Sequence, residues 1–354
     1  MEITRTETIR VSVNDSFSNI CYLTKNLYNK ANYIVRQEFF NSKKILNYYQ
    51  IWQKTKKLNE YKNIPAQTAQ QVLRYLVKNW KSFLLGSIKS KANGGAYYYK
   101  PKIPSYKKKN GKHIAVFTNQ QMKILENGKL KFPSPIKIDV KTRLNKSVNL
   151  REVRVVPLGI GYKIEIVYKK LVRKESISKK RVASIDLGCI NLITLVDNIG
   201  TRPIIVKDDG KGIKSIIQFY MKEKARLQKI YSNNGIKTGL KLSTLNQKFE
   251  CKVQDYIHKL SRIIIKHCIK MKIGKLIIGQ NIGWKQKSMM RRITNQMFIN
   301  IPFSRFIQML EHKGEEHGIV VTTIEEKYTS KCSFLDNEPV KSHKSFLGRR
   351  VKRG

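Results

Sequence analysis

VASIDLG at residues 182–188, NLITLVDNIG at 191–200 and TRPIIVK at 201–207 follow one another directly, and their order decides the fold. Each is a short apolar run rich in β-branched residues, the composition of a strand. Connections of a few residues join them, which makes them antiparallel neighbours. Helical spacing follows at about 213–230 and 241–272. In the second of these Phe249, Val253, Ile257, Leu260, Ile264 and Cys268 share one face. KLIIG (275–279) is a fourth strand, reached by a helical crossover and so parallel to the first. Residues 303–317 are helical again, and GIVVTTI (318–324) is a fifth strand.

Three antiparallel strands, then helix, strand, helix, strand, is the element order of the RNase H-like fold. Asp186 departs from an ordinary strand pattern: it stands inside the first strand, before Leu187 and Gly188. A carboxylate buried there costs free energy unless it is paired or bound to metal. The plainer alternative is an Asp that caps the turn before Gly188.

Ahead of this unit, residues 3–13 alternate as a strand through Ile9, Val11 and Val13. Asn14, Asp15 and Ser16 each offer a helix N-cap. Helical spacing runs from Phe17 to Ile34, and a second helix starts near Pro65, a residue favoured in a first turn. Residues 15–90 therefore read as a helical unit. Residues 114–172 are β-rich, with a strand at 153–156 and an alternating one at Tyr162, Ile164, Ile166 and Tyr168. Strand segments separated by a helical insertion suggest a barrel whose first strand is 3–13. RKESISKKR (173–181) reads as a basic linker between domains.

The charge balance narrows the function. Lys and Arg number 71 against 24 Asp and Glu, a net charge of +47 over 354 residues. Charge of one sign opposes a compact fold unless a polyanion neutralises it. Nucleic acid is the usual polyanion, since each neutralised phosphate releases counterions. At 41% hydrophobic residues the chain is no disordered basic tail. AYYYKPKIPSYKKKNGK (96–112) interleaves rings and cations in a segment whose prolines oppose a helix. That pattern suits an extended strip with Lys100, Lys102, Lys107, Lys108, Lys109 and Lys112 on phosphates. Tyr97, Tyr98, Tyr99 and Tyr106 would then lie near bases. The alternative is an exposed polar loop. Five scattered cysteines suggest reduced thiols. The opening MEITRTETIR does not read as a signal peptide, and no apolar run reaches membrane-spanning length. A cytoplasmic, nucleoid-associated protein without membrane partners is expected; its oligomeric state is not legible.

More specific signals follow. IDLGCINLITL (185–195), IHKLS (257–261), IIGQNIGWKQ (277–286) and above all YTSKCSFLD (328–336) resemble the TnpB, or OrfB, family of transposon-associated proteins. IPAQTAQQVLRYLVKNW (64–80) and PKIPSYKKKNG (101–111) resemble the family's N-terminal half. The resemblance implies an RNA-guided DNA endonuclease related to type V CRISPR effectors, with guide RNA and target DNA as partners. It implies an α+β multidomain chain: a wedge-type β-barrel from 1–14 and 91–172, with a helical recognition insertion at 15–90. After the linker at 173–181 it implies a RuvC, RNase H-like nuclease domain at 182–326 and a zinc-ribbon region at 327–354. Cleavage would use Mg²⁺, or Mn²⁺, held by carboxylates that activate water.

The chain departs from the family pattern in three places. Asp186 matches the first RuvC carboxylate, but Gly279 stands where the second is expected. A bare Gly there opens space for a Glu leaving the neighbouring fifth strand. Some family members resemble this arrangement, with a Glu two residues before Tyr-Thr-Ser, so the resemblance makes Glu326 the second expected ligand and Glu325 its reserve; the alternative is two solvated charges at a strand end. Cys332 alone remains of the zinc-ribbon thiols, a vestigial position, with His343 as a weak second candidate. One thiol cannot make a structural tetrahedral site, so zinc is not expected. A third carboxylate is not supplied before Gly354, which reads as an incomplete C-terminal end of the nuclease domain. Three functions stay open on these residues. One is an RNA-guided endonuclease, another an inactive RNA-guided binder or truncated remnant, and the third a direct DNA transposase.

Overall fold

The computed structural model describes residues 1–92, 101–172, 177–207, 212–280, 296, 298–329 and 331–348. It divides into two units: Glu2–Leu171, and Val172–Gly354 together with Met1.

In the first unit β1 (Glu2–Val11) leads into α1 (Asp15–Ser42). Of the three candidate caps the structure selects Asn14, whose side chain accepts the Phe17 N–H at 3.2 Å. Two short helices follow that the periodicity did not mark: α2 (Tyr48–Thr55), opened by an Asn47–Gln50 capping box, and α3 (Asn59–Lys62). Then comes α4 (Ala66–Ala92), directly after Pro65. Phe17, Tyr28, Leu73, Leu76 and Trp80 bury against Phe117, Val155 and Tyr162 in one core with the strands.

Those strands are β2 (Ala115–Thr118), β5 (Asn149–Pro157) and β6 (Tyr162–Leu171), with a small β3 (Lys123–Ile124) and β4 (Leu130–Lys131) pair between. The main sheet runs β1-β6-β5-β2, antiparallel throughout. The sequence reading joined 3–13 to the later strands, and β1 does pair with β6 along its whole length. A closed barrel is not what forms among the described residues: β1 and β2 end the sheet, and closure needs those two edges to bond. Gly161, at φ +69°, makes the β5–β6 turn where a Cβ would run into the carbonyl of Val11.

In the second unit β7 (Val182–Leu187), β8 (Asn191–Asp197) and β9 (Ile204–Lys207) are antiparallel. Next come α5 (Ile213–Asn233), α6 (Leu240–Lys270), β10 (Lys275–Gly279), α7 (Phe303–Glu316) and β11 (Val320–Ile324). The sheet order is β11-β10-β7-β8-β9, with β10 parallel to β7 and β11 parallel to β10. This is the order the sequence reading expected. Ala183, Ile185 and Leu187 of β7 point into a core with Ile193, Leu195, Val253, Ile264 and Ile278. The alternate residues Ser184 and Asp186 face solvent.

Candidate active site and nucleic-acid surface

The site is assembled at the C-terminal ends of β7, β10 and β11, where parallel strands release their chains on one side of the sheet. Ile278 pairs with Ile185, so Gly279 lies one step further on, beside Asp186. Gly279 in turn pairs with Ile324, and Gln280 donates its N–H to the Ile324 carbonyl at 2.8 Å. Glu326 follows two residues later and turns back over this position. A Cβ at 279 would fall on the Glu326 carboxylate, at Oε1. The space that glycine leaves open is filled by the glutamate of the next strand.

Asp186 is placed differently from the sequence expectation. It is exposed on the open face of β7, paired across to Thr194 of β8, and is not a buried carboxylate. Strand alternation puts its apolar neighbours inward and leaves its own side chain outward. Glu326 is half-buried. Burial first, and the Asp186 charge second, push its carboxyl above the ordinary glutamate range. The two acids thus feel one another across the strand end. Converging oxygen donors with mutual repulsion are the donor set a hard divalent cation neutralises, so these residues fit Mg²⁺ or Mn²⁺. Glu325 points elsewhere: it is exposed and pairs with Lys327 at 3.0 Å. Among the described residues no third Asp, Glu, His or Cys joins Asp186 and Glu326 in a cluster of three.

The region around Cys332 holds more than the sequence reading assigned to it. Cys332, Glu338 and His343 bring their ligand-type atoms within 4.8 Å of one another. Glu338 went unnoticed because nothing in its neighbourhood marks it as paired with a cysteine six residues earlier. These groups are already engaged in hydrogen bonds. The Glu338 carboxylate accepts the backbone N–H groups of Ser333 at 2.7 Å and Leu347 at 3.1 Å. The Cys332 thiol and His343 Nε2 meet the same Pro339 carbonyl, at 3.5 and 2.7 Å. Three ligands fall short of the four that a structural zinc site takes from protein.

The basic strip is only partly within the described residues: Tyr97, Tyr98, Tyr99 and Lys100 lie outside them. From Pro101 to Ile114 the chain is neither helix nor strand and is fastened to α1 through its backbone. Asn29 holds Lys107 at both its amide and its carbonyl. Asn32 and Arg36 donate to the Pro104 carbonyl, each at 3.0 Å, and Lys25, nearly fully buried, donates to the Lys109 carbonyl. Asn32 in turn accepts from Trp80 Nε1 in the core. Backbone groups satisfied inward leave Lys102, Lys108 and Lys109 exposed. Tyr106 is exposed with the Arg36 guanidinium over its ring. Lys112 is engaged: it donates to the Tyr162 hydroxyl at 2.6 Å and covers that ring, and Lys107 lies over Tyr28. The anchoring residues Lys25, Asn29, Asn32 and Arg36 were not legible, since each looks like a solvated position on a helix.

Known proteins bear on this arrangement at two levels. The class is that of mixed α/β chains with a fold similar to that of Cas12f1. One solved structure, a Cas12f1–sgRNA–target DNA complex, aligns with a TM-score of 0.55 at 16% identity, over 95% of this chain and 78% of that one. Within that class, residues 165–285 match the OrfB_IS605 model, described as a probable transposase, and 303–351 match a Cas12f1-like TNB domain. A TnpB-like protein of Methanocaldococcus jannaschii is 26% identical over 178 residues, 48% of this chain. The match spans 60% of that curated relative's length. Over these segments the chain is similar to TnpB/OrfB proteins, and its fold is similar to that of Cas12f1. No helix among the described residues is long and apolar enough to cross a membrane.

Proposed function

We propose that this protein binds a guide RNA, pairs it to target DNA, and hydrolyses DNA at a RuvC-like centre on β7, β10 and β11. The observation that carries the reading is Glu326 lying over Gly279 beside Asp186, a two-carboxylate site rebuilt from the next strand. Asp186 and Glu326 would hold one divalent cation, Mg²⁺ or Mn²⁺. When bound, the cation lowers the pKa of a coordinated water and neutralises charge on the leaving oxygen. Asp186 would stay open to substrate, and Glu326, less solvated, would fix the ion's position. Guide pairing would supply sequence specificity while the protein meets backbone. Lys102, Lys108, Lys109 and the Arg36–Tyr106 pair supply part of that backbone surface in the first unit. In this scheme the first unit's sheet and helices serve as the wedge and recognition parts, and 182–326 as the nuclease.

A second reading is a guide-dependent DNA binder that does not cut. It is favoured by the absence of a third acid joining Asp186 and Glu326 among the described residues. One experiment separates these. The protein is purified with its bound nucleic acid, the RNA is sequenced, and matched DNA is incubated with Mg²⁺. A defined RNA with cleavage abolished by Asp186→Ala supports the nuclease. A defined RNA with binding but no cleavage supports the binder. Absence of any defined RNA contradicts both and favours a direct transposase.

A further inference from the structure

The hairpin of α5 and α6 carries a groove that the proposed active site does not use. Its cavity, about 310 Å³, is walled by Phe219 and Tyr220 of α5 and by Leu245 and Phe249 of α6, with Lys248 and Lys252 on its rim. Tyr220 and Phe249 are stacked, centroids 3.9 Å apart and planes 13° from parallel, and Tyr220 is fixed by its hydroxyl on Asn246. Phe219 stands beside this pair with 60% of its surface exposed, and the Lys252 ammonium lies 5.9 Å from its ring.

An exposed phenyl ring beside a stacked aromatic pair offers a flat apolar face, and the rim selects what covers it. The acids nearby are already matched: Glu223 with Arg226, Asp255 with Lys259, and Glu250 with Arg305, all within 3 Å. Among the described residues these acids are matched elsewhere, so Lys248 and Lys252 on the rim favour an anion. A second copy of the chain would set these lysines against one another, on molecules of +47 each. A ligand with a planar apolar ring and anionic groups on either side meets both demands.

We propose that this groove stacks an unpaired nucleobase of a single-stranded nucleic acid on Phe219, with flanking phosphates on Lys248 and Lys252. The inference rests on the nucleic-acid reading above. It adds a site of single-strand binding in the second unit, outside the acidic pair. Because Phe219 is exposed, Phe219→Leu keeps apolar bulk, removes the ring and leaves the fold intact, which circular dichroism verifies.

The test is fluorescence anisotropy of the full chain with labelled dT20, rU20 and a 20-base-pair duplex. The dT20 and rU20 arms distinguish DNA from RNA. Phe219→Leu should weaken binding of one or both single strands roughly five- to a hundred-fold and leave duplex affinity within about two-fold. Lys248→Gln with Lys252→Gln should lower the single-strand salt slope by about 1.4. Unchanged single-strand affinity in Phe219→Leu would overturn the proposal while leaving the nucleic-acid reading intact. So would a Phe219-dependent affinity for anionic phosphatidylserine vesicles, or a Phe219-dependent dimer in sedimentation, without a single-strand effect. Failure of the unaltered chain to bind all three probes would overturn the nucleic-acid reading itself.

Discussion

At position 279 a hydrogen in place of a side chain leaves room for a carboxylate arriving from the neighbouring strand. Half of this was legible in the sequence. An acid inside a strand and a Gly where a second acid belongs could be read from 186 and 279. That Glu326 rather than Glu325 lies over Gly279 was expected only through the family resemblance, since no periodicity encodes how the chain turns after Ile324. The exposure of Asp186 was misread because a β strand hides only alternate residues, and its neighbours on both sides are apolar. Gly279→Ala should displace Glu326, since the added methyl and the carboxylate cannot share the space. Divalent-cation affinity, measured by isothermal titration calorimetry, should drop at least roughly ten-fold, a loss of about 1.4 kcal/mol. Ala at 279 with unchanged affinity would remove Glu326 from the site.

Among the elements, long helices and the five-stranded sheet were readable, whereas α2, α3 and the β3–β4 pair were not. Four residues are too few for a period of 3.6 to register, and two-residue strands carry no alternation at all. The loop from 331 to 348 shows the same limit from another side: one carboxylate, that of Glu338, ties together the backbone N–H groups of Ser333 and Leu347 near its two ends. Glu338→Gln turns an acceptor-only group into one that also presents an N–H₂, costing about 1–3 kcal/mol locally. Faster hydrogen exchange at Ser333 and Leu347, with the rest of the second unit unchanged, is the expected result.

The strip 101–112 is held to α1 near His113, which is buried and stacked on Tyr28 at 4.8 Å. Burial pushes this imidazole down from 6.5 to about 4, with the Lys107 charge a lesser cause. The folded state therefore resists the proton that the unfolded chain accepts. Stability from this source is complete above pH 6.5 and lost as pH falls toward about 4, by about 3 kcal/mol at most. Urea unfolding at pH 7 and pH 4.5 should show that decline, and His113→Phe should reduce it.

Over the whole molecule, 71 basic residues set the behaviour that no single residue decides. Composition alone pointed to the proposed polyanion partner, because an excess of one sign needs no structure to be counted. Which lysines serve it was not legible, because Lys107 and Lys112 are occupied on rings that only the fold brings near. With six or more phosphates engaged, affinity for nucleic acid should fall about a thousand-fold between 50 and 200 mM salt, read from binding isotherms. The proposed cutting depends on far fewer groups than binding does. Manganese binding followed by electron paramagnetic resonance tests that centre most directly, using the unaltered chain, Asp186→Ala and Glu326→Gln. Bound Mn²⁺ in the unaltered chain, lost in both variants, is the predicted result; Mn²⁺ that stays bound in Glu326→Gln would contradict the account.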